Sequence, residues 1–236
     1  MTGRKDRNRA GEALWAKLRD RLGIYLVTDE RPDLDSLLGV VRQALAGGTT
    51  TVQLRRKHDD GRVLVELGHE LRRLTREFGA LYIVNDRVDV ALLTDADGVH
   101  VGQSDIAYAD VRRLVGPNKL IGVSATTLAE AENALRDGAD YIGAGAVYPT
   151  MSKDDAEISG LDGLRAIVET AAEANMPVVA IGGINQSNAR EVLGTGVDGL
   201  AVVSAIMKAA APAAASMALR QLVRSVREAD SMGQKQ

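Results

Sequence analysis

Eight short apolar runs, most of them rich in β-branched residues, recur along the chain, and each is followed by a longer stretch with helical spacing. That alternation leaves few folds open, because it is the pattern of repeated βα units around a buried parallel sheet. The runs are Ile24 to Thr28, Thr50 to Leu54, Leu81 to Asn85, Gly98 to Val101, Leu120 to Ser124, Tyr141 to Ala144, Val178 to Ile181 and Leu200 to Val203. Each has the length of a buried strand. Between them apolar residues fall three and four apart, as in Leu34, Leu37, Leu38, Val41 and Leu45, or Leu64, Leu67, Leu71, Leu74 and Phe78. These stripes predict helices that pack against the sheet. Asp33 and Ser187 are placed to cap helix starts, and Gly47, Gly79, Gly116, Gly138 and Gly194 to end helices.

A faint internal repeat supports closure of the sheet. The stretches AGGTTTVQL, TDADGVHVG, RDGADYIGA and GTGVDGLAV lead from a helix end into strands two, four, six and eight. A motif in every second unit suits an eight-stranded barrel, whose interior layers come from alternate strands. The competing open, doubly wound sheet needs a reversal of strand order that this regular spacing does not mark. The fold class predicted is therefore α/β, a single (β/α)8 TIM barrel with an extra N-terminal helix. Its expected divisions are an extension over residues 1–22, with an amphipathic helix at Ala13 to Leu22 against the barrel's closed bottom, the catalytic barrel over 23–227, and a disordered tail over 228–236. The length of 236 residues suits one such domain.

Composition narrows the partners. A formal net charge of -3 gives no electrostatic footprint for nucleic acid, and one Trp, five Tyr and one Phe are too few and scattered for a base-stacking face. The absence of cysteine excludes a disulfide framework, a thiolate nucleophile and a cysteine metal site. The charged N-terminus lacks the apolar core of a secretory signal, and no run of about 18 apolar residues offers a membrane span. The expectation is a cytoplasmic protein acting on small molecules, with neither nucleic acid nor membrane as partner; self-association into a homo-oligomer stays open.

In a parallel barrel the reactive groups gather where strands end, at the C-terminal face. Arg55, Lys57 and Lys153 would converge there from two strand ends and make a site for a strongly anionic group such as a diphosphate. Alternation sends Gln53, Arg55 and Lys57 to one side of their segment and Leu54 and Arg56 to the other. Asp86 and Asp105 are expected to end strands three and four in the same register, and adjacent strands lie about 4.8 Å apart, so both carboxylates are expected to reach one cation. Oxygen-only ligation beside an anion pocket selects magnesium, one ion per subunit. The plainer use of Asp86 is to cap the next helix. Gly182 and Gly183 after strand seven, with Val203 and Ser204 after strand eight, form a second anion site of free backbone N–H groups. The polar stretch Tyr148 to Gly160 lies between the two sites as a lid or binding loop. His58 and His69 read as solvated, and His100 as a buried, hydrogen-bonded core residue.

Taken in order, YLVTD, VQLRRK, IVNDRVDVAL, ADGVHVGQSD, IGVSATT, YPTMSK, AIGGI and GVDGLAVVSAI resemble the thiamine phosphate synthase family from Tyr25 to Ile206. The resemblance implies a transferase of thiamine biosynthesis. In it a pyrimidine methyl diphosphate loses diphosphate with magnesium's help, and a thiazole phosphate nitrogen attacks the methylene carbon without any protein nucleophile. It implies that Gln53, Leu54, Arg55, Arg56, Lys57, Asn85, Ser124 and Lys153 bind the pyrimidine diphosphate, with Arg55, Lys153 and Ser124 acting on the reacting groups. Asp86 and Asp105 would hold magnesium, and Thr150, Met151, Ser152, Gly183, Val203 and Ser204 the thiazole phosphate. Three residues depart from the family's usual pattern: Arg56 where Glu is usual, Ser152 where Thr is common, and Thr126 where His is common. Arg56 is expected to make an altered surface contact only. A thiazole tautomerase of the same barrel would need a His at Thr126, and a non-catalytic phosphate-binding barrel would lose Asp86, Asp105 or Lys153; neither loss nor His is seen.

Overall fold

The computed structural model describes residues 17–150 and 158–233. Eight parallel strands, β1 (Ile24–Val27), β2 (Thr51–Leu54), β3 (Leu81–Asn85), β4 (Gly98–Val101), β5 (Leu120–Ala125), β6 (Tyr141–Ala144), β7 (Val178–Ile181) and β8 (Gly199–Val202), pair in chain order and close with β8 on β1. The helices that follow them are α1 (Leu34–Ala46), α2 (Gly61–Phe78), α3 (Val88–Leu93), α4 (Tyr108–Val115), α5 (Leu128–Asp137), α6 (Gly160–Glu173), α7 (Ala189–Leu193), α8 (Ser204–Met207) and α9 (Pro212–Gly233). The (β/α)8 barrel expected from the strand pattern is the fold found.

The helical stripes bury as their spacing predicts. Leu37, Val41 and Leu45 of α1 and Leu64, Leu67, Leu71 and Leu74 of α2 join the core between sheet and helices, whereas Phe78, the end of its stripe, is 38% exposed. Asp33 caps α1 by accepting the Ser36 N–H at 3.0 Å, and the five predicted glycines follow their helices. Ser187 does not cap α7. Asn188 precedes that helix, while Ser187 donates its N–H and hydroxyl to Asn185 Oδ1, closing a local turn instead.

The internal repeat has a structural cause different from interior layering. Asp97, Asp140 and Asp198 stand just before β4, β6 and β8, and each accepts the N–H of the first or second residue of the preceding strand: Tyr82 at 2.8 Å, Ile121 at 2.8 Å and Val178 at 2.9 Å. Thr50 Oγ1 does the same for Ile24 before β2, at 3.0 Å. Arginines 72, 112 and 19 pair with the three aspartates. The repeat thus ties off orphan strand-start donors at the N-terminal end of the barrel, the end away from the chemistry.

Residues 17–21 are helical and sit at this bottom end, where Leu18 and Leu22 pack with the interior cluster of Tyr25, Val27, Leu81, Ile83, Tyr141, Val179 and Ala201. The rest of the expected N-terminal helix lies outside the described residues. At the other terminus α9 runs past the expected boundary as far as Gly233, so residues 228–233 are helical and not the disordered tail expected there. Arg227, within α9, donates to Asp20 Oδ1, 2.8 Å away, and fastens this helix to the bottom cap.

Candidate active site

The C-terminal mouth is assembled from loops that lock one another. Thr28, buried at the end of β1, accepts the Arg55 N–H at 2.9 Å and donates its hydroxyl to the Arg55 carbonyl at 3.2 Å, which fixes the backbone from which the Arg55 side chain projects. Glu30 accepts the Lys57 N–H at 2.7 Å. Asp29, a polar strand-end residue, is turned to another purpose: it holds Arg31 in a two-point ion pair with both contacts at 2.9 Å.

Arg56 is not the surface contact expected of it. Its side chain is 5% exposed, pairs with Asp59 and donates to the Asp29 carbonyl at 3.2 Å and the Arg31 carbonyl at 2.7 Å. The charge departure at this position therefore rivets the β1 and β2 loops together. Arg56→Glu should oppose Asp59 and leave two carbonyls without a donor, lowering stability by about 3 kcal/mol. A urea unfolding midpoint unchanged from the parent would refute this.

The carboxylates converge. Asp86, at the end of β3 with φ 59°, is within hydrogen-bonding reach of Asp105. Asp105 lies four residues beyond the end of β4, and a turn folds it back so that its Oδ2 accepts the Gly102 N–H at 2.7 Å. The two do not share a strand register as expected; the turn brings them together. Burial, then the hydrogen bond and negative charge of Asp105, push the Asp86 carboxyl up to about 6, while Lys57 and Arg55 pull it the other way. Lys57 Nζ stands 3.7 Å from Asp86 Oδ2. Capping is not the role of Asp86, since α3 begins after Arg87 with no side-chain cap. Among the described residues no three His, Asp or Glu side chains gather. The chemistry of the Asp86–Asp105 pair fits a cation that takes two protein oxygens and completes its shell with water and phosphate oxygens, as magnesium does.

Deeper in the mouth lie Gln53, Asn85, His100 and Ser124. Gln53, 5% exposed, donates from Nε2 to Tyr25 Oη at 2.8 Å, and His100 bridges Tyr141 Oη and Ser124 Oγ at 3.1 and 3.0 Å. His100 is hydrogen-bonded as its strand position implied, but half-buried and not fully buried as expected. Leu54 packs outward in the helix-facing core, so its side chain does not line the mouth. Tyr25 and Tyr141 were not legible as site residues, although their alternate positions on β1 and β6 mark them as interior.

On the opposite side of the mouth Gly182 and Gly183 continue the pairing of β7 with the chain after β6: the Val147 N–H reaches the Ile181 carbonyl at 2.9 Å and the Tyr148 N–H the Gly182 carbonyl at 3.1 Å. Gly183 holds φ 64°. Val203 precedes α8, whose first residue is Ser204, and no backbone carbonyl among the described residues receives the Gly183 or Ser204 N–H. Because α8 has four residues, its macrodipole is small, and any anion here would be held by those N–H groups themselves. Thr150 borders this region, and Met151, Ser152 and Lys153 lie outside the described residues.

The comparisons with known proteins come down on one family. The model described as thiamine monophosphate synthase matches residues 24–206. The chain belongs to the thiamine monophosphate synthase family. It is 51% identical over 211 residues to a thiamine-phosphate synthase of Pyrococcus furiosus, covering 89% of this chain and 98% of that one, and 52% identical over 207 residues to one of Chloroflexus aurantiacus, covering 87% and 94%. A solved thiamine phosphate pyrophosphorylase of Pyrococcus furiosus superposes with a TM-score of 0.80 at 49% identity over 89% of this chain and 98% of that one. A 3-hexulose-6-phosphate synthase, at 19% identity and TM-score 0.61 over 85% of this chain and 99% of that one, shares the fold. Thr126 donates its hydroxyl to the Gly145 carbonyl at 2.9 Å and its N–H to Glu130 at 2.6 Å.

Proposed function

We propose that this member of the family joins 4-amino-2-methyl-5-(diphosphooxymethyl)pyrimidine to a thiazole phosphate, giving thiamine phosphate and diphosphate, through the residues gathered at this mouth. What supports the reading is the meeting of Asp86, Asp105, Arg55 and Lys57 beside Gln53, Asn85 and Ser124, in a chain half identical to synthases over most of its length. Gln53, Asn85 and Ser124 orient the aminopyrimidine ring, and the backbone at Leu54 and the loop riveted by Arg56 hold the diphosphate end in line. Arg55 and Lys57, with Lys153 as the third cation the sequence supplies, stabilise the charge that grows on the departing diphosphate as the carbon–oxygen bond breaks. Asp86 and Asp105 would hold a magnesium ion, which when bound withdraws charge from the same leaving group. Thr150, Met151, Ser152, Gly183, Val203 and Ser204 anchor the thiazole phosphate, so the ring nitrogen is aimed at the methylene carbon. The reaction asks for no protein nucleophile.

No described helix is long and apolar enough to cross a membrane; the reading takes the enzyme to be cytoplasmic. Incubation with both phosphorylated substrates and magnesium should yield thiamine phosphate and diphosphate in equal amounts. Failure to release diphosphate, or isomerisation of the thiazole alone, would overturn the reading. Arg55→Ala should lower turnover by about a hundredfold to a thousandfold, the scale of losing one preorganised donor to transition-state charge. A change confined to the KM for the thiazole would contradict its placement.

A further inference from the structure

The barrel interior carries an unbroken polar chain from one side of the mouth to the other. Gln53 Nε2 donates to Tyr25 Oη at 2.8 Å, the Tyr25 and Tyr141 hydroxyls lie 2.8 Å apart, and Tyr141 Oη is 3.1 Å from His100 Nδ1. His100 Nε2 is 3.0 Å from Ser124 Oγ. The strands are cut away to admit it. A Cβ on Gly122 would come within 2.5 Å of His100 Nδ1 and run into the Tyr141 ring, and one on Gly143 would lie 2.8 Å from His100 Cε1. The reaction as described needs Gln53 and Ser124 but gives the three residues between them no task.

The protons decide what such a chain can do. Both phenols are buried, which holds them in the protonated form, so each has one proton to give. If Tyr25 accepts from Gln53, its proton must go to Tyr141, that of Tyr141 to His100 Nδ1, and the imidazole proton then sits on Nε2 and points at Ser124. The Ser124 hydroxyl is left to donate into the mouth, and the Gln53 carbonyl oxygen to accept there. An isolated serine hydroxyl turns freely; here its sense is tied to four other groups, and reversing it requires the amide to turn over and the imidazole to change tautomer.

We propose that Tyr25, Tyr141 and His100 are positioning residues that lock Gln53 and Ser124 into one hydrogen-bond polarity, selecting an aminopyrimidine edge over its oxo counterpart. The amino edge presents an N–H donor beside a ring-nitrogen acceptor, which matches an accepting Gln53 and a donating Ser124; the oxo edge reverses both. This inference rests on the proposed function, in which those two residues face the pyrimidine.

Two sets of variants test it. Tyr141→Phe and Tyr25→Phe each delete one hydroxyl and keep the ring. In both, the KM for the aminopyrimidine diphosphate should rise about tenfold, inhibition by the oxo analogue should strengthen relative to it, and the KM for the thiazole phosphate should stay put, with circular dichroism unchanged. Equal weakening toward both pyrimidines, or discrimination as in the parent, overturns the proposal. Should the Phe variants fail to fold, Gln53→Ala and Ser124→Ala, singly and together, decide the matter. The chain requires the double variant's loss to differ from the product of the single losses by about fivefold or more, whereas unlinked sites multiply. A parent enzyme that makes no thiamine phosphate would sink the proposed function; a fully active parent with multiplicative losses sinks only the polar chain.

Discussion

Asp105→Asn should cut turnover at saturating substrate by about a hundredfold to a thousandfold and abolish the response to added magnesium, because the acceptor pair then loses one of its two charges. Asp86→Asn should do the same to activity with a second, opposite effect on the fold. The Asp86 carboxyl is raised from 3.8 to about 6, chiefly by burial, so its charged form is less at ease in the folded chain than in the unfolded one. For a carboxyl shifted upward, the cost of ionisation is absent below the unfolded value and complete above the folded one. In chelator at pH 8, therefore, Asp86→Asn should stabilise the protein by about 1 kcal/mol, a figure already reduced for solvent screening at a partly exposed group. Asn is the right replacement because it tolerates the left-handed backbone at φ 59°, whereas Ala there would add strain of about 1–2 kcal/mol and hide the effect. Thermal melts in chelator and steady-state turnover in magnesium read the two effects separately. An Asp86→Asn variant that is less stable and fully active would refute both the metal assignment and the electrostatic account.

Gly183→Val should remove measurable binding of the thiazole phosphate while magnesium-dependent binding of the pyrimidine diphosphate stays within about threefold of the parent. The structure makes the expected damage larger than a blocked N–H. A Cβ at Gly183 would stand 2.7 Å from Tyr148 Cβ and 2.8 Å from the Pro149 carbonyl oxygen, and a β-branched residue at φ 64° is strained whatever the space. Residues 148–150 must then move, and Thr150 with them. Calorimetry with each ligand alone distinguishes the outcomes. Equal loss of both ligands in a variant that keeps its circular dichroism would replace two anion sites with one shared pocket.

The extent to which the site could be read from the chain follows from which contacts are local. Strand alternation carries an expectation only as far as the strand runs: Gln53 lies within β2, which ends at Leu54, and Lys57 lies in a bend beyond it, held by its N–H to Glu30. Asp86 follows its strand directly and was plain. Asp105 comes near Asp86 by a route the strand register did not give, since its approach depends on a turn after β4 that brings a residue four positions away back over the strand end. Arg56 was misjudged as a surface contact because burial of a long side chain is set by the neighbouring loop: the carbonyls of Asp29 and Arg31 that accept its protons come from another βα unit. The limit of the disordered tail failed likewise, as the polar composition after Glu228 does not reveal that α9 continues as far as Gly233.

Periodicity by itself determined that this chain makes eight parallel strands with helices outside, because a strand buried on both faces must be short and apolar and a covering helix must be amphipathic. The ordered motifs determined the family. Tertiary structure alone decided that the Thr50, Asp97, Asp140 and Asp198 repeat ties off strand starts at the barrel's bottom, and that Gln53, Tyr25, Tyr141, His100 and Ser124 join into one chain. Those five residues come from five different positions in the sequence, up to 116 apart for the two tyrosines. Only closure of the barrel brings their hydroxyls, amide and imidazole within a hydrogen bond of one another, since the strands that carry them meet across an interior that no local pattern encodes.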